Sequence, residues 1–151
     1  MSEIARFEQT LLFAFDAQDS SLGKVKTLNQ IDIYEWPNIK IRFHPSTQLF
    51  QSHYNCVEIW QALKHKNTPP NVHKQKDVYW LVWRNSARIT EFRSIKAAEY
   101  ESIQVFLDGG TLSGACEQLL SHHAENEVSR VVVNYLLGWL NSNLVSSIVT
   151  Q

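Results

Sequence analysis

The chain has 151 residues, 44% of them apolar and 11% aromatic, which is enough to bury a core and too apolar for an intrinsically disordered segment. Fourteen Lys plus Arg against 15 Asp plus Glu leave a formal charge of -1, so there is no overall electrostatic drive toward a polyanion. Neither Cys56 nor Cys116 has a second cysteine beside it, which removes a zinc ribbon or CxxC redox site and leaves buried structural thiols as the expectation.

The N-terminal residues Met-Ser-Glu-Ile-Ala-Arg-Phe-Glu carry no basic start followed by an apolar run. No stretch approaches the length of a membrane span, so no membrane association and a cytoplasmic location are expected. From Ser2 to about Ala17, Ile4, Phe7, Leu11, Ala14 and Phe15 fall at helical spacing with Ser2 as N-cap, and Asp19-Ser-Ser-Leu-Gly23 is a loop. A short helical segment is expected over 28–34, ended by Trp36-Pro37-Asn38. Ile39, Ile41 and Phe43 then alternate with Lys40, Arg42 and His44, as in a strand with one buried face, and Pro45 limits it. Residues 56–63 form a short amphipathic helix with Cys56, Ile59, Trp60 and Leu63 on one side, followed by the linker Asn67-Thr-Pro-Pro-Asn71.

The second half opens with a hairpin, Asp77 to Arg84, turning at Asn85-Ser-Ala into Arg88 to Arg93. Along its first strand Val78, Trp80 and Val82 point one way and Tyr79, Leu81 and Trp83 the other. Both faces are apolar, which predicts cover on both sides. Ser94 is the expected cap of a helix that turns Tyr100, Ile103, Phe106 and Leu107 inward and stops at Gly109-Gly110. Thr111 caps the next helix, with Leu112, Ala115, Cys116, Leu119 and Leu120 on its core face. A last helix, about 126–140, carries a main stripe of Val128, Val131, Val132, Tyr135, Leu136 and Trp139. A second row, Val133, Leu137 and Leu140, is set off by Arg130, Asn134 and Asn141, and is either extra core or a groove wall.

The predicted fold class is α+β. A small antiparallel sheet is followed by a three-helix, winged-helix-like unit over 77–151, and the helix, strand and short helix of 1–76 pack on it as one compact domain.

The hairpin, the Gly-Gly-Thr junction and the run from Val128 to Val145 resemble the PqqD type of peptide-recognition domain. Upstream, Arg6-Phe-Glu, Ala14-Phe-Asp-Ala17, Arg42-Phe-His-Pro-Ser46, Ile59-Trp-Gln-Ala-Leu63 and Trp80-Leu-Val-Trp-Arg84, continued by Gly110-Thr-Leu112, are similar in order and spacing to the C-terminal half of the HvfC and MbnC-like family. That family is often labelled DNA-binding. The resemblance implies a non-catalytic partner that presents a ribosomally made precursor peptide with a Cys-containing core to an iron-containing TIM-barrel oxidase. Family members carry a further helical region upstream, and the likeness here begins at the helix that follows it.

A peptide strand added beside Arg88 to Arg93 gains roughly 0.5–1.5 kcal/mol per main-chain bond, against about 1–2 kcal/mol for fixing each residue. Side-chain anchors must therefore supply the surplus. In a PqqD-like arrangement the last helix lies beside that strand. The expected peptide site is then Arg88, Thr90, Phe92 and Arg93 on the edge, with Val133, Leu137 and Leu140 as the anchor wall and Arg130 and Asn134 as polar orienters. Arg88 and Arg93, at opposite ends of the strand, are expected to attract an acidic leader, the alternative for them being a solvated, charge-guarded edge.

A winged-helix-like DNA-binding module is the alternative function. The middle helix opposes it, because its exposed residues are Ser113, Glu117, Gln118 and Ser121, and no basic residue lies between Lys96 and Arg130. The nearest basic cluster, Lys64, Lys66, Lys74 and Lys76, lies in and beside the linker without interleaved aromatics. No catalytic motif, metal-ligand set or cofactor fingerprint is present. The six histidines are scattered, His53 and Cys56 make only a two-ligand fragment, and His44 is expected to bond backbone in a turn.

Overall fold

A computed structural model describes residues 2–150. The chain runs α1 (Glu3–Asp16), α2 (Val25–Asn29), a 3-10 helix (Ile33–Asn38), β1 (Lys40–Phe43), β2 (Gln48–Tyr54), α3 (Cys56–Lys64), β3 (Lys74–Arg84), β4 (Thr90–Ile95), α4 (Ala97–Leu107), α5 (Leu112–Leu119), α6 (Glu125–Asn141) and β5 (Val145–Val149). Every strand pairing is antiparallel, and the fold is α+β. One sheet has the order β2-β3-β4, the other pairs β1 with β5.

The central strand β3 is covered on both faces, as its two apolar sides require. Leu81 and Trp83 enter a core built with Ile103 and Phe106 of α4, Leu112 and Leu119 of α5, and Val132, Leu136 and Trp139 of α6. Val82 and the half-buried Trp80 face the other way into a smaller core with Phe7 and Ala14 of α1, Phe50, and Cys56 and Val57 of α3. Each fully buried large side chain contributes roughly 1.5–3 kcal/mol, so β3 ties the two halves of the molecule together. Trp139 is fully buried, with the rings of Phe43 and Phe106 at 5.2 and 6.0 Å.

Local signals hold at the start of α1, the end of α4 and the start of α5. Ser2 Oγ accepts from the Ala5 N–H at 3.2 Å, and Thr111 Oγ1 accepts from the Gly114 N–H at 3.3 Å. Gly109, at φ +86°, ends α4 in the left-handed region. Ser94 is not a cap. It is paired with Trp80 in β4, and α4 starts only at Ala97 because the strand continues to Ile95.

Several inward assignments change because neighbours in space, not spacing, decide which edge of a stripe is covered. Phe15 is 54% exposed, Leu63 55%, Leu107 48% and Leu120 51%, each at the rim of its helix's apolar face. Val57 is buried instead. In place of one weak helix over 28–34, α2 and the 3-10 helix flank a break, and Pro37 sits inside the 3-10 turn. Two strands carry no clean alternation and escape a sequence reading. β2 buries Phe50 and Ser52, and β5, with two central serines, is a strand only because Lys40 to Phe43 pairs with it.

Candidate functional site: the open edge of β4

The edge strand begins later than the sequence implies. Asn85 Oδ1 accepts from the Ala87 and Ile89 N–H groups at 2.9 and 3.1 Å, and the Arg88 N–H bonds the Asn85 carbonyl at 3.0 Å. Arg88, at φ +62°, is therefore the left-handed residue of a hairpin loop and not a strand residue. Its guanidinium turns to Asp19 at 2.6 Å, where Arg84 also bonds at 2.8 Å. Arg88 thus belongs to the α1 connector and not to the edge. Arg84, 6% exposed, additionally donates to the Phe15 and Ala17 carbonyls at 2.6 and 2.7 Å, satisfying the C-terminus of α1.

Which main-chain groups of β4 are vacant follows from the register. The Asn85 N–H donates to the Ile89 carbonyl at 2.9 Å, which makes 85 and 89 a hydrogen-bonded pair. In an antiparallel ladder such pairs alternate. With Trp83 opposite Glu91, Leu81 opposite Arg93 and Tyr79 opposite Ile95, these three residues of β4 bond β3. Thr90, Phe92 and Ser94 direct their N–H and C=O groups outward. The Arg84 N–H agrees, since it points the other way, to Ser46 Oγ at 3.1 Å. Among the described residues no segment pairs with the outer side of β4. The opposite edge strand, β2, is partly closed by Glu3, whose carboxylate accepts from the His53 and Tyr54 N–H groups at 2.7 and 2.9 Å.

A groove flanks each face of the open edge. On the α4 and α6 side, a cavity of about 430 Å³ is lined by Arg93, Ser94, Ile95 and Lys96 from β4 and its end, and by Val131, Asn134 and Tyr135 of α6. On the α1 and α3 side, a cavity of about 530 Å³ is lined by Leu11, Leu12, Phe15, Trp60, Thr90 and Phe92, and by the solvent-exposed Glu8 and Lys64. Phe92 packs edge-on against Phe7 and Trp60, with ring centroids 5.3 and 5.8 Å away. Thr90 Oγ1 is buried and has no hydrogen-bond partner.

The structure brings Thr90, Phe92, Arg93 and Asn134 together at this edge and separates the rest of the expected site. At 100° per residue, the row of Val133, Leu137 and Leu140 is centred roughly 150° around α6 from Val131, Asn134 and Tyr135, with Leu137 nearest to Asn134, and none of the three lines the groove beside β4. Leu140 is 4% exposed in the main core. A Cβ on Gly23 would lie 3.3 Å from the Leu140 side chain, and the Gly23 N–H bonds the Val145 carbonyl at 2.7 Å, so the connector after α1 covers that end of the row. Val133 lines a different cavity, with Ile33, Trp36 and Pro37 of the 3-10 helix. Leu137 is half-buried and Arg130 exposed, and neither lines the β4 grooves. Sequence reasoning missed Val131 and Tyr135, which the main stripe already contained, and Leu11, Leu12 and Trp60, which only packing carries to the strand.

Arg93 is less available to an acidic ligand than its position implies. It meets Glu99 at 2.7 Å, and the same carboxylate, 8% exposed as a residue, accepts from Trp139 Nε1 at 3.0 Å. Glu99 thereby locks β4, α4 and α6 in one polar contact. No protein-family model and no curated protein matches the chain.

Other reactive side chains are engaged elsewhere. His53 lies on β2 and its Nδ1 meets Asp77 Oδ1 at 2.6 Å, so it shares no helix face with Cys56. Burial, and then the neighbouring Glu3 carboxylate, push the Cys56 thiol up to about 12, and burial also raises Cys116, which leaves both as protonated free thiols. His44 is the turn histidine expected: the Ser46 N–H donates to its Nδ1 at 3.1 Å. Among the described residues no three His, Cys, Asp or Glu side chains converge, and no helix is long and apolar enough to cross a membrane.

Proposed function

We propose that this chain is a non-catalytic, cytoplasmic peptide-binding subunit. It captures a ribosomally made precursor peptide with a Cys-containing core as an added strand on β4 and presents it to an iron-containing TIM-barrel oxidase. The observation that carries peptide capture is the row of unpaired main-chain groups at Thr90, Phe92 and Ser94, with Ser94 bordering the α6 groove and Thr90 and Phe92 the groove against α1. The likeness to the HvfC and MbnC-like family supports the choice of peptide and enzyme.

Main-chain pairing alone does not hold such a ligand. Three outward residues offer six bonds of roughly 0.5–1.5 kcal/mol each, which the cost of ordering the peptide at about 1–2 kcal/mol per residue largely cancels. Val131, Tyr135 and the exposed Asn134 line a groove in which the peptide's side chains add the remainder. One or two buried anchors at about 1.5–3 kcal/mol each bring the affinity to the micromolar range, near -8 kcal/mol.

The test is co-purification with an iron-containing TIM-barrel oxidase and a small Cys-containing precursor peptide sought among the products of neighbouring genes, followed by titration of the labelled peptide. Saturable binding that Asn134→Asp or Ser94→Pro weakens is expected, proline at an outward edge position being compatible with the sheet. A peptide that binds both variants as it binds the parent chain, or does not bind at all, removes the assignment.

A further inference from the structure

An added strand places its side chains alternately on the two faces of the sheet, and β4 has a cavity on each. We infer that the groove between α1, α3 and β4 is a second specificity pocket of the same site. Its ligand class is then an extended peptide carrying bulky aliphatic or aromatic residues at every second position on that face. The inference rests on the peptide-binding reading above and adds to it which residues the ligand must have.

Three observations converge on this groove. First, it is an apolar concavity within the size range in which ligands are buried, roughly 300–1,000 Å³, and its walls are Leu11, Leu12, Phe15, Trp60 and Phe92. Second, Leu12 and Phe15 are 56% and 54% exposed although Phe7 and Ala14 of the same helix are fully buried. Helix α1 therefore has an inner apolar face that is packed and an outer apolar edge that nothing among the described residues covers. Third, the groove reaches the strand whose Thr90 and Phe92 main-chain groups are vacant, and the buried Thr90 hydroxyl beside them has no partner. A free apolar surface by itself names no occupant. One that borders unpaired amides and carbonyls is matched by a β-strand, because a helix has already paired its own main-chain groups.

The two grooves divide the ligand's requirements. On the α6 side, polar Ser94, Lys96 and Asn134 stand among the lining residues, and that face accepts mixed side chains. On the α1 side, five of the eight lining residues are aromatic or aliphatic, the two charged ones, Glu8 and Lys64, are solvent-exposed, and Lys64 Nζ sits 4.8 Å over the Trp60 ring. Same-face residues of a strand recur every 6.6 Å or so, and consecutive apolar side chains at positions i and i+2 are the pattern that a continuous groove parallel to β4 selects.

The experiment is selection of a phage-displayed library of random 12-residue peptides on the intact chain and on a Leu12→Glu variant, with Asn134→Asp as a variant of the other groove. Leu12 is largely exposed, so the variant keeps the core, and a thermal melt checks this. The expected result is enrichment of peptides with large apolar residues at alternate positions on the parent chain. That alternation is lost on Leu12→Glu, which binds the parent-selected peptides at least tenfold more weakly, and it is retained on Asn134→Asp. Enrichment of the same alternating peptides on Leu12→Glu, or of peptides without alternation on the parent, overturns the second pocket while leaving strand addition at β4 standing. No enrichment on the parent chain overturns strand addition itself.

Discussion

Asn85 donates its main-chain N–H to the carbonyl of Ile89 at 2.9 Å, and this one bond sets the parity of the whole hairpin. Shifting it by one residue would turn the main-chain groups of Glu91, Arg93 and Ile95 outward in place of those of Thr90, Phe92 and Ser94. The amide side chain of Asn85 secures the parity by accepting from both Ala87 and Ile89.

Amide hydrogen exchange reads that parity directly. The Thr90, Phe92 and Ser94 amides exchange quickly in the free protein, and those of Glu91, Arg93 and Ile95 are protected by β3. A bound peptide slows Thr90, Phe92 and Ser94 selectively. Uniform protection along β4 before any ligand is added would mean that another segment occupies the edge.

Arg84 joins the hairpin to α1 through two carbonyls and Asp19. Arg84→Ala leaves the Phe15 and Ala17 carbonyls without a donor, and a loss of about 1–3 kcal/mol follows. The ion pair adds little to this, because Asp19 is two-thirds exposed. Urea unfolding measures the loss. Asp19→Asn is expected to change the midpoint far less, and equal losses would show that the charge pair, and not the carbonyl bonds, holds the connector.

Glu99 is the acceptor shared by Arg93 and buried Trp139 Nε1. Glu99→Ala strands the indole N–H and costs about 1–3 kcal/mol. Glu99→Gln keeps a carbonyl oxygen for the indole and costs less, while freeing Arg93 from its charge partner. If the Arg93 charge contributes to capture of an acidic peptide, Glu99→Gln tightens that capture, and titration of the labelled precursor peptide against both proteins checks the direction.

Burial first, and then the neighbouring Arg84 guanidinium, hold His44 below the usual 6.5. The depressed folded value means that, between it and 6.5, the unfolded chain binds a proton that the native protein does not. Stability is therefore greatest above 6.5 and falls as the pH drops through this window. His44→Asn is expected to flatten that part of the stability-against-pH curve when unfolding is followed from pH 7.5 to 5. An unchanged slope would assign the acid sensitivity to other groups.

Free Cys56, buried and pushed up to about 12, is expected to resist alkylation at pH 8 until the chain unfolds. Mass spectrometry of iodoacetamide-treated protein, with and without urea, follows it. Rapid modification of native Cys56 would show that the start of α3 opens easily.

Much of the fold is legible in the residue order because it is written in local periodicity. Four helices show apolar residues three and four apart, and β3 announces two covered faces by having no polar side over residues 78–83. The α+β class and the position of the hairpin need nothing more. Tertiary structure decided the rest. Pairing with β1 makes β5 a strand, although its serines give no pattern of their own. The rotation of α6 about its axis places Val131, Asn134 and Tyr135 beside β4 and sends the Val133, Leu137 and Leu140 row away, where Gly23 and the 3-10 helix reach its two ends. Arg88 shows the same limit, since a turn geometry and one distant aspartate remove it from the edge. Spacing along a helix or strand specifies which residues share a face, whereas the partner that face meets depends on chain segments tens of residues away.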